Sequence, residues 1–341
     1  MKWDFQYYKV VTILLFLFIK INVFAQDIGE RPLFTSEGWA GARYIAMGKA
    51  VEAVVDDVYA IYWNPGGIIE LKGGSGILSQ GGKERSKSAD IEDITEEDLI
   101  RFSDEQEGRG FAQVGVSAAM LDTHRKAGFC GVAFNVLDGV AGIGLYSIES
   151  KDVKGMNEYG NFIENLDYSS YVSYLTYGLA VGVASFGISV KGLYEVIGSC
   201  RYYGGGIDIG TQVELFPFFR IGLVLQDIGT GLKPVRDYED VDGGYDFVYP
   251  VLRFSAAFTS IASDIVIAAS SVKKIEQEKF DFNVGLQYNV HKNFTLYIGS
   301  NDLSFSFGFS LQLTGMGLAY AFLYDKDDYG YNNIISFTLR I

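Results

Sequence analysis

Asn333-Ile-Ile-Ser-Phe-Thr-Leu-Arg-Ile341 closes the chain with side chains that alternate in character. Ile335, Phe337, Leu339 and Ile341 fall on one face of a strand, and Ser336, Thr338 and Arg340 on the other. Successive strand residues point to opposite faces, so one face is greasy and one is wet. An alternating strand that stops on an apolar residue suits the last stave of a membrane barrel, which closes the wall against the first stave. That reading predicts an all-β fold, a transmembrane antiparallel barrel.

The same pattern recurs upstream. Phe280, Phe282, Val284, Leu286, Tyr288 and Val290 alternate with Asp281, Asn283, Gly285, Gln287 and Asn289, and Leu303 to Leu313 behaves likewise. The polar face is mostly Gly, Ser, Asn and Gln, which suits a crowded or wet lumen better than the Lys- and Glu-rich outer face of a soluble sandwich. The expected strands are 75–82, 110–121, 128–149, 169–183, 186–199, 201–215, 219–228, 250–260, 263–273, 279–290, 293–301, 303–313, 316–325 and 333–341, about 14 and therefore even in number, as in bacterial barrels. The closing strand should pair with the one that begins near Ser75. Long connections (83–109, 150–168, 229–249, 326–332) should lie outside. Short turns, including 122–127, should lie in the periplasm. Within 128–149 the phase slips by one residue at Asp138-Gly139, either as a tight hairpin or as a bulge in one long strand. The even count favours one kinked strand.

Composition agrees with a membrane wall. Of 341 residues 48% are hydrophobic and only 21% charged, with 23 Tyr and 25 Phe. Beyond the N-terminal segment no run reaches the ~20 apolar residues of a spanning helix. The net charge of −14 argues against a nucleic-acid partner, because phosphate binding needs concentrated Lys and Arg. Residues 1–25 read as a secretory signal, with Lys2 and Lys9 before the apolar Val10–Ile19 and cleavage near Ala25. Cys130 and Cys200 are either two buried thiols or a disulfide.

Catalytic equipment is sparse. His124 and His291 fall in separate expected turns, no nucleophile and base converge, and no Cys/His spacing suggests a metal. The expectation is a non-enzyme without cofactor. Asp237 to Gly243 reads as a solvated outer loop, and Thr95 with Asp98 as the start of a short surface helix.

Residues 26–70 do not alternate. They carry Gly41-Ala42-Arg43 with Met47-Gly48 and Ala50, then Asp56-Asp57, then Tyr62-Trp63-Asn64-Pro65-Gly66-Gly67-Ile68. Small residues and an Asn-Pro-Gly turn, with aromatics that argue against disorder, predict a compact plug in the lumen ahead of a barrel spanning 71–341. Trp63, Asn64 and Pro65 should hold its shape. Asp56 and Asp57 either fix it to lumen cations such as Lys191 or Arg253, or merely solvate a turn.

The run G-A-R-x-x-x-M-G-x-A, then D-D, then Y-W-N-P-G-G-I resembles the N-terminal signature of the FadL-like superfamily, which includes long-chain fatty acid transporters and the PorV-like branch of secretion barrels. Gly66-Gly67 stands where that family usually has Ala-Gly, and Ile341 where a terminal Phe is usual. The resemblance implies a plugged barrel in the outer membrane of a diderm bacterium, among outer-membrane lipids. Its cargo would be a hydrophobic, fatty-acid-like solute, or alternatively it would be a scaffold binding exported proteins. It also implies a lateral wall opening at a kink in the third strand, here Asp138-Gly139.

Overall fold

The computed structural model describes residues 38–72, 112–121, 125–156, 159, 162–235, 245–260, 264–275, 279–302, 304–325 and 330–341. The expected signal segment 1–25, the strand at 75–82, the Thr95 helix, His124 and the acidic 237–243 stretch lie outside these residues.

Alternating sequences become strands that pair with their chain neighbours. In order they are β1 (Ala112–Leu121), β2 (Arg125–Val136), β3 (Gly139–Met156), β4 (Phe162–Val181), β5 (Ala184–Ile197), β6 (Cys200–Phe216), β7 (Phe219–Val235), β8 (Asp246–Phe247), β9 (Val251–Thr259), β10 (Ile265–Lys274), β11 (Asp281–His291), β12 (Phe294–Asn301), β13 (Ser304–Leu313), β14 (Met316–Asp325) and β15 (Gly330–Arg340). All pairings are antiparallel, and β6 also pairs with β7, so fourteen strands close into a barrel while two-residue β8 is an extra flap on β7. Closure leaves no unpaired edge, which a bilayer requires.

The terminal strand closes the wall, but its partner differs from the expected one. β15 pairs with β1, from Gln113 against Arg340 to Met120 against Asn333, not with a strand near Ser75. Its apolar face looks outward, with Ile335 52% and Phe337 40% exposed, while Ile334 and Ser336 are buried. The other strands follow suit, as with Phe305 and Phe307 outside and Ser306 inside. Phe216, Phe218 and Phe258 cluster on the outer surface near one rim, and Tyr171, Tyr194 and Tyr203 toward the other, as interfacial aromatics do.

Residues 128–149 are not one kinked strand. Val136 pairs with Gly139 across a hairpin whose two turn residues are Leu137, at φ +53°, and Asp138. Paired residues share a face, so a two-residue turn makes the alternation slip by one, which is the slip read in the sequence. The count still ends even, because this split supplies the strand that 75–82 was expected to give. The split also puts the end of β1 and the start of β2 at the rim away from the C-terminus, whereas 122–127 had been expected among the periplasmic turns on the C-terminal side. Two-residue turns follow β2, β4, β6, β11 and β13 at the C-terminal rim, whereas β7 ends at Val235 and β10 at Lys274 at the opposite rim.

The wall is uneven in height. β3, β4, β6 and β7 run 18, 20, 17 and 17 residues, whereas β10, β12, β13 and β14 run 10, 8, 10 and 10. Most of the expected long connection 150–168 is therefore wall: β3 and β4 stay paired to Met156 against Phe162, through two bulges. Residues standing beyond the lipid need no greasy face, so alternation fades there.

Candidate functional site: the plugged lumen

Residues 38–72 fill the lumen. They contain two short helices, α1 (Ala42–Ala46) and α2 (Ala60–Trp63), and a 3-10 helix over Pro65–Lys72. α1 packs on β12 to β15, α2 on β3 and β4, and the 3-10 helix on β2 to β6. The inward small residues of the wall let plug backbone lie directly on strand backbone. A Cβ at Gly187 would meet the Pro65 carbonyl, one at Gly210 the Asn64 side chain, one at Gly222 the Glu52 carbonyl, and one at Gly285 or Gly299 the Met47-Gly48 peptide. The crowded lumen inferred from the Gly/Ser/Asn face is therefore crowded by this segment.

The motif residues act mostly as internal joinery. Gly41 (φ +79°) donates its N–H to Ser117 Oγ at 3.2 Å, and the Gly48 N–H donates to the Ile45 carbonyl in a turn (φ +62°) pressed on Ser300. Met47 is fully buried. Trp63, also fully buried, donates Nε1–H to the Ala40 carbonyl at 2.7 Å and packs edge-on against Tyr62. Asn64 Nδ2 donates to the Glu52 carbonyl (2.6 Å) and the Thr211 carbonyl (3.2 Å), while its Oδ1 accepts from Gly66 N–H (2.9 Å), an Asx turn leading through Pro65.

The aspartate pair does not reach the expected lumen cations. Asp56 pairs with Arg43 inside the plug at 2.6 Å, and Arg43 also donates to Gln287. Asp57 Oδ1 accepts the Tyr59 N–H at 2.9 Å. The plug carboxylate that does meet Arg253 is Glu52, at 3.8 Å, with Ser270 Oγ donating to it at 2.8 Å. Burial pushes the Glu52 carboxyl up, and Arg253 and Ser270 offset part of that. Glu52 was missed in the sequence because nothing distinguishes a lone Glu between Val51 and Ala53 from a solvated one.

Burial, then the neighbouring Asp56, pushes Asp57 up to about 6 against the pull of Arg43. The docked plug therefore holds a proton that the released plug gives up between its ordinary value of 3.8 and about 6. Docking should tighten as pH falls from about 6 toward 4 and stay at its weaker level above 6. Asp57→Asn, which keeps the acceptor for Tyr59, should flatten that dependence, read as protease susceptibility of the plug against pH.

On the tall side the lumen continues past the plug. Tyr62 forms its floor and Val172, Tyr174, Lys191, Leu193, Gln226 and Asp227 its walls, with Ile148, Tyr168, Leu232 and Val248 in the same apolar cluster. Lys191 Nζ lies 2.8 Å from Asp208 Oδ1 and 2.5 Å from Asp227 Oδ1, with all three side chains buried. Asp227 sits at a bulge. Ile209 opposes Leu225 but Ile207 opposes Ile228, so β7 carries an extra residue and turns both Gln226 and Asp227 inward. The positive φ of Asp227 (+61°) gives the bulge its shape, and its N–H donates to Asp208 Oδ1 at 2.8 Å. Lys191→Met, which would leave two buried carboxylates facing each other, should cost on the order of 3–5 kcal/mol, measured as a drop in the barrel's unfolding free energy in urea.

Asp138 and Gly139 are remote from this compartment. They lie in the rim hairpin, where β2 and β3 pair without interruption from Arg125–Ser150 to Val136–Gly139. Cys130 and Cys200 are unpaired and exposed instead of buried or bridged. His291 ends β11 at the C-terminal rim. Among the described residues no group of His, Cys, Asp and Glu could hold a metal.

This architecture is a membrane β-barrel with its N-terminal segment packed as a plug. No family model matches the sequence, and no curated protein matches it. Among solved structures, the Pseudomonas putida toluene transporter TodX superposes with a TM-score of 0.54 at 12% identity, over 89% of this chain and 98% of TodX. A TodX monoaromatic hydrocarbon channel mutant, deltaS2, gives 0.54 at 11% identity over 88% and 98%. The Acinetobacter baumannii outer membrane protein Omp33 agrees less, at 0.42 and 9% identity over 68% and 98%. The likeness to TodX, nearly full length on both sides, is a likeness of fold: this chain has the fold of an outer-membrane barrel.

Proposed function

We propose that this protein is an outer-membrane barrel that binds hydrophobic solutes in the compartment above the plug and passes them inward when the plug yields. The observation that carries the reading is the plugged lumen itself: above the plug a small pocket, with Tyr62 as its floor and Val172, Tyr174 and Leu193 beside Lys191, Gln226 and Asp227 in its walls, stands on the element that blocks the way. A solute there rests on the element that blocks its way. The fold likeness to TodX, a protein described as a toluene transporter, supports the same direction. In this reading the C-terminal rim faces the periplasm, residues 26–70 form the hatch, and residues 1–25 are removed on export. The fatty-acid-like cargo implied by the sequence resemblance is one form of it. The PorV-like scaffold for exported proteins rests on the resemblance alone, and co-purification of a secretion complex would favour it.

Titration of the purified barrel with toluene, followed by tryptophan fluorescence, tests the reading. Saturable binding is expected, weakened at least about tenfold by Val172→Trp, which fills the compartment from β4. Absence of saturable binding by this probe and by a medium-chain fatty acid would sink it.

A further inference from the structure

We propose that one half of the C-terminal rim is a lipid-binding surface. Three consecutive hairpin tips, at Leu137, Val183 and Phe218, lie in the layer between acyl chains and headgroups, with phospholipid as their occupant, while the tips of the other half stand in water.

A turn that leaves the wall for water is ordinarily built from Gly, Asn, Asp, Pro or Ser. The hairpins after β11 and β13 keep to that chemistry at the rim. Their apolar faces stop with the strands, at Val290 and Leu313, and Lys292-Asn293 and Thr314-Gly315 follow. The hairpins after β2, β4 and β6 do not. Each sets one apolar residue in a turn of two: Leu137, Val183 and Phe218, all exposed. Leu137 is the extreme case, 87% exposed at φ +53°. It is the first of its two turn residues, where a positive φ usually calls for glycine. A bulky side chain with that backbone is an outlier. The chain therefore holds a large apolar side chain at the tip against the preference of its own backbone. Exposed apolar surface of this kind marks an interaction site.

Continuity with the lipid-facing wall identifies the occupant. On the outward face of β4, Leu175, Leu179 and Val181 are exposed and lead down to Val183 in the turn itself. The Phe218 ring stacks on Phe216 at 5.5 Å and meets Phe258, on the outer face of β9, at 5.8 Å. The tips thus extend the surface that lipid already covers. A protein that binds by adding a strand finds no free edge there. The three hairpins pair up to their tips, at Val136–Gly139, Val181–Ala184 and Phe216–Phe219. The plug supplies the matching cation. Lys72, the last residue of the 3-10 helix, donates Nζ–H to the Leu137 carbonyl at 2.8 Å. An ammonium beside an apolar tip suits the headgroup level, with the charge among phosphates and the leucine among chains. Lipid thereby grips the half of the wall, β2 to β6, on which the 3-10 helix packs, and pins the end of the plug at the membrane surface.

Spin labelling of the full-length barrel in phosphatidylcholine nanodiscs tests the proposal. The two native free cysteines provide references, since Cys130 faces outward in mid-wall and Cys200 begins β6 at the opposite rim. With both replaced by alanine, single labels at Leu137→Cys, Val183→Cys and Phe218→Cys should collide preferentially with oxygen, as a label on Cys130 does. Labels at Asn293→Cys and Thr314→Cys should collide preferentially with a water-soluble nickel chelate, as one on Cys200 does. A second measurement needs no variant. Photolysis of the native barrel with phosphatidylcholine bearing an acyl-chain diazirine should modify Leu137, Val183 and Phe218, and spare Asn293 and Thr314. Nickel-accessible labels at the first three tips, with no photolabel there, would overturn the inference. Labels shielded from both reagents would report a cover of protein, and lipid contact at all five tips would remove the division of the rim; either would overturn it too.

Discussion

Gly299→Val is expected to eject the plug while leaving the barrel standing. A Cβ at Gly299 lands on the Gly48 nitrogen and the Met47 carbonyl carbon, and a Cβ at Gly48 would in turn land on Ser300 backbone. Neither side offers a flexible side chain that could move aside. Overpacking of a tight core typically costs 1–3 kcal/mol, and a clash between two backbones belongs at the upper end, so the released population should rise roughly 100-fold. Limited proteolysis should cut within 38–72 while the barrel keeps its heat-modifiable mobility on SDS gels. In planar bilayers the variant should conduct where the native protein is closed. Gly128→Ala is the control, since its Cβ would come no nearer than 3.4 Å to the Ser147 hydroxyl. Unchanged proteolysis and conductance in Gly299→Val would mean that the plug does not bear on this wall.

Asn64→Ala should unfold the plug from within. The substitution removes two donor bonds and one acceptor bond at 2.6, 3.2 and 2.9 Å, and it strands the Gly66 N–H in a dry interior. Each net bond is worth about 1 kcal/mol, and each buried group left unsatisfied costs a further 1–3 kcal/mol, so a loss of about 3 kcal/mol or more is expected. Asn64→Asp separates the roles of the side chain. It keeps the acceptor for Gly66 but points a carboxylate at two carbonyls, and it should be at least as damaging as Ala. Near-ultraviolet circular dichroism would report the loss of packing around Trp63. Equal stability of Asn64→Asp and the native protein would show that the donor bonds do not matter.

The wall was legible in the sequence wherever a strand faces lipid on one side and the plug on the other. Phe305 to Leu313 and Asn333 to Ile341 alternate because those two environments differ so sharply; their faces are found as read, and the last strand closes the wall, though it begins at Gly330 within the expected 326–332 connection. Legibility failed where that contrast fades. β3 and β4 continue beyond Ser150 and before Ser169 through sequence without regular alternation, so they read as loop. The Asp138-Gly139 slip was visible, but a bulge and a two-residue hairpin produce the same change of phase, and only pairing separates them. In the plug, Trp63, Asn64 and the glycines announced themselves by their chemistry. The partners did not: Asp56 turns to Arg43, thirteen residues back, and Glu52 rather than either aspartate approaches Arg253. The Lys191–Asp208–Asp227 cluster was half visible, since Lys191 was a candidate lumen cation. Asp208 falls on the regular inward alternation of β6, whereas Asp227 faces inward only through the bulge in β7, which leaves the composition of that strand unremarkable.

The order in which the chain emerges is the reverse of the order in which its lumen can be completed. The plug precedes every described strand, yet its Ala42 N–H rests on Ser336, 294 residues later, and its Ala46 carbonyl on Ser306, 260 residues later. Contacts of such separation form late, because the intervening chain must be ordered first. The segment made first thus waits without a seat until β15 meets β1, and its docking reports that the ring has closed. Barrels interrupted before that step should carry an undocked, protease-sensitive N-terminus, which makes the plug a built-in marker of complete assembly.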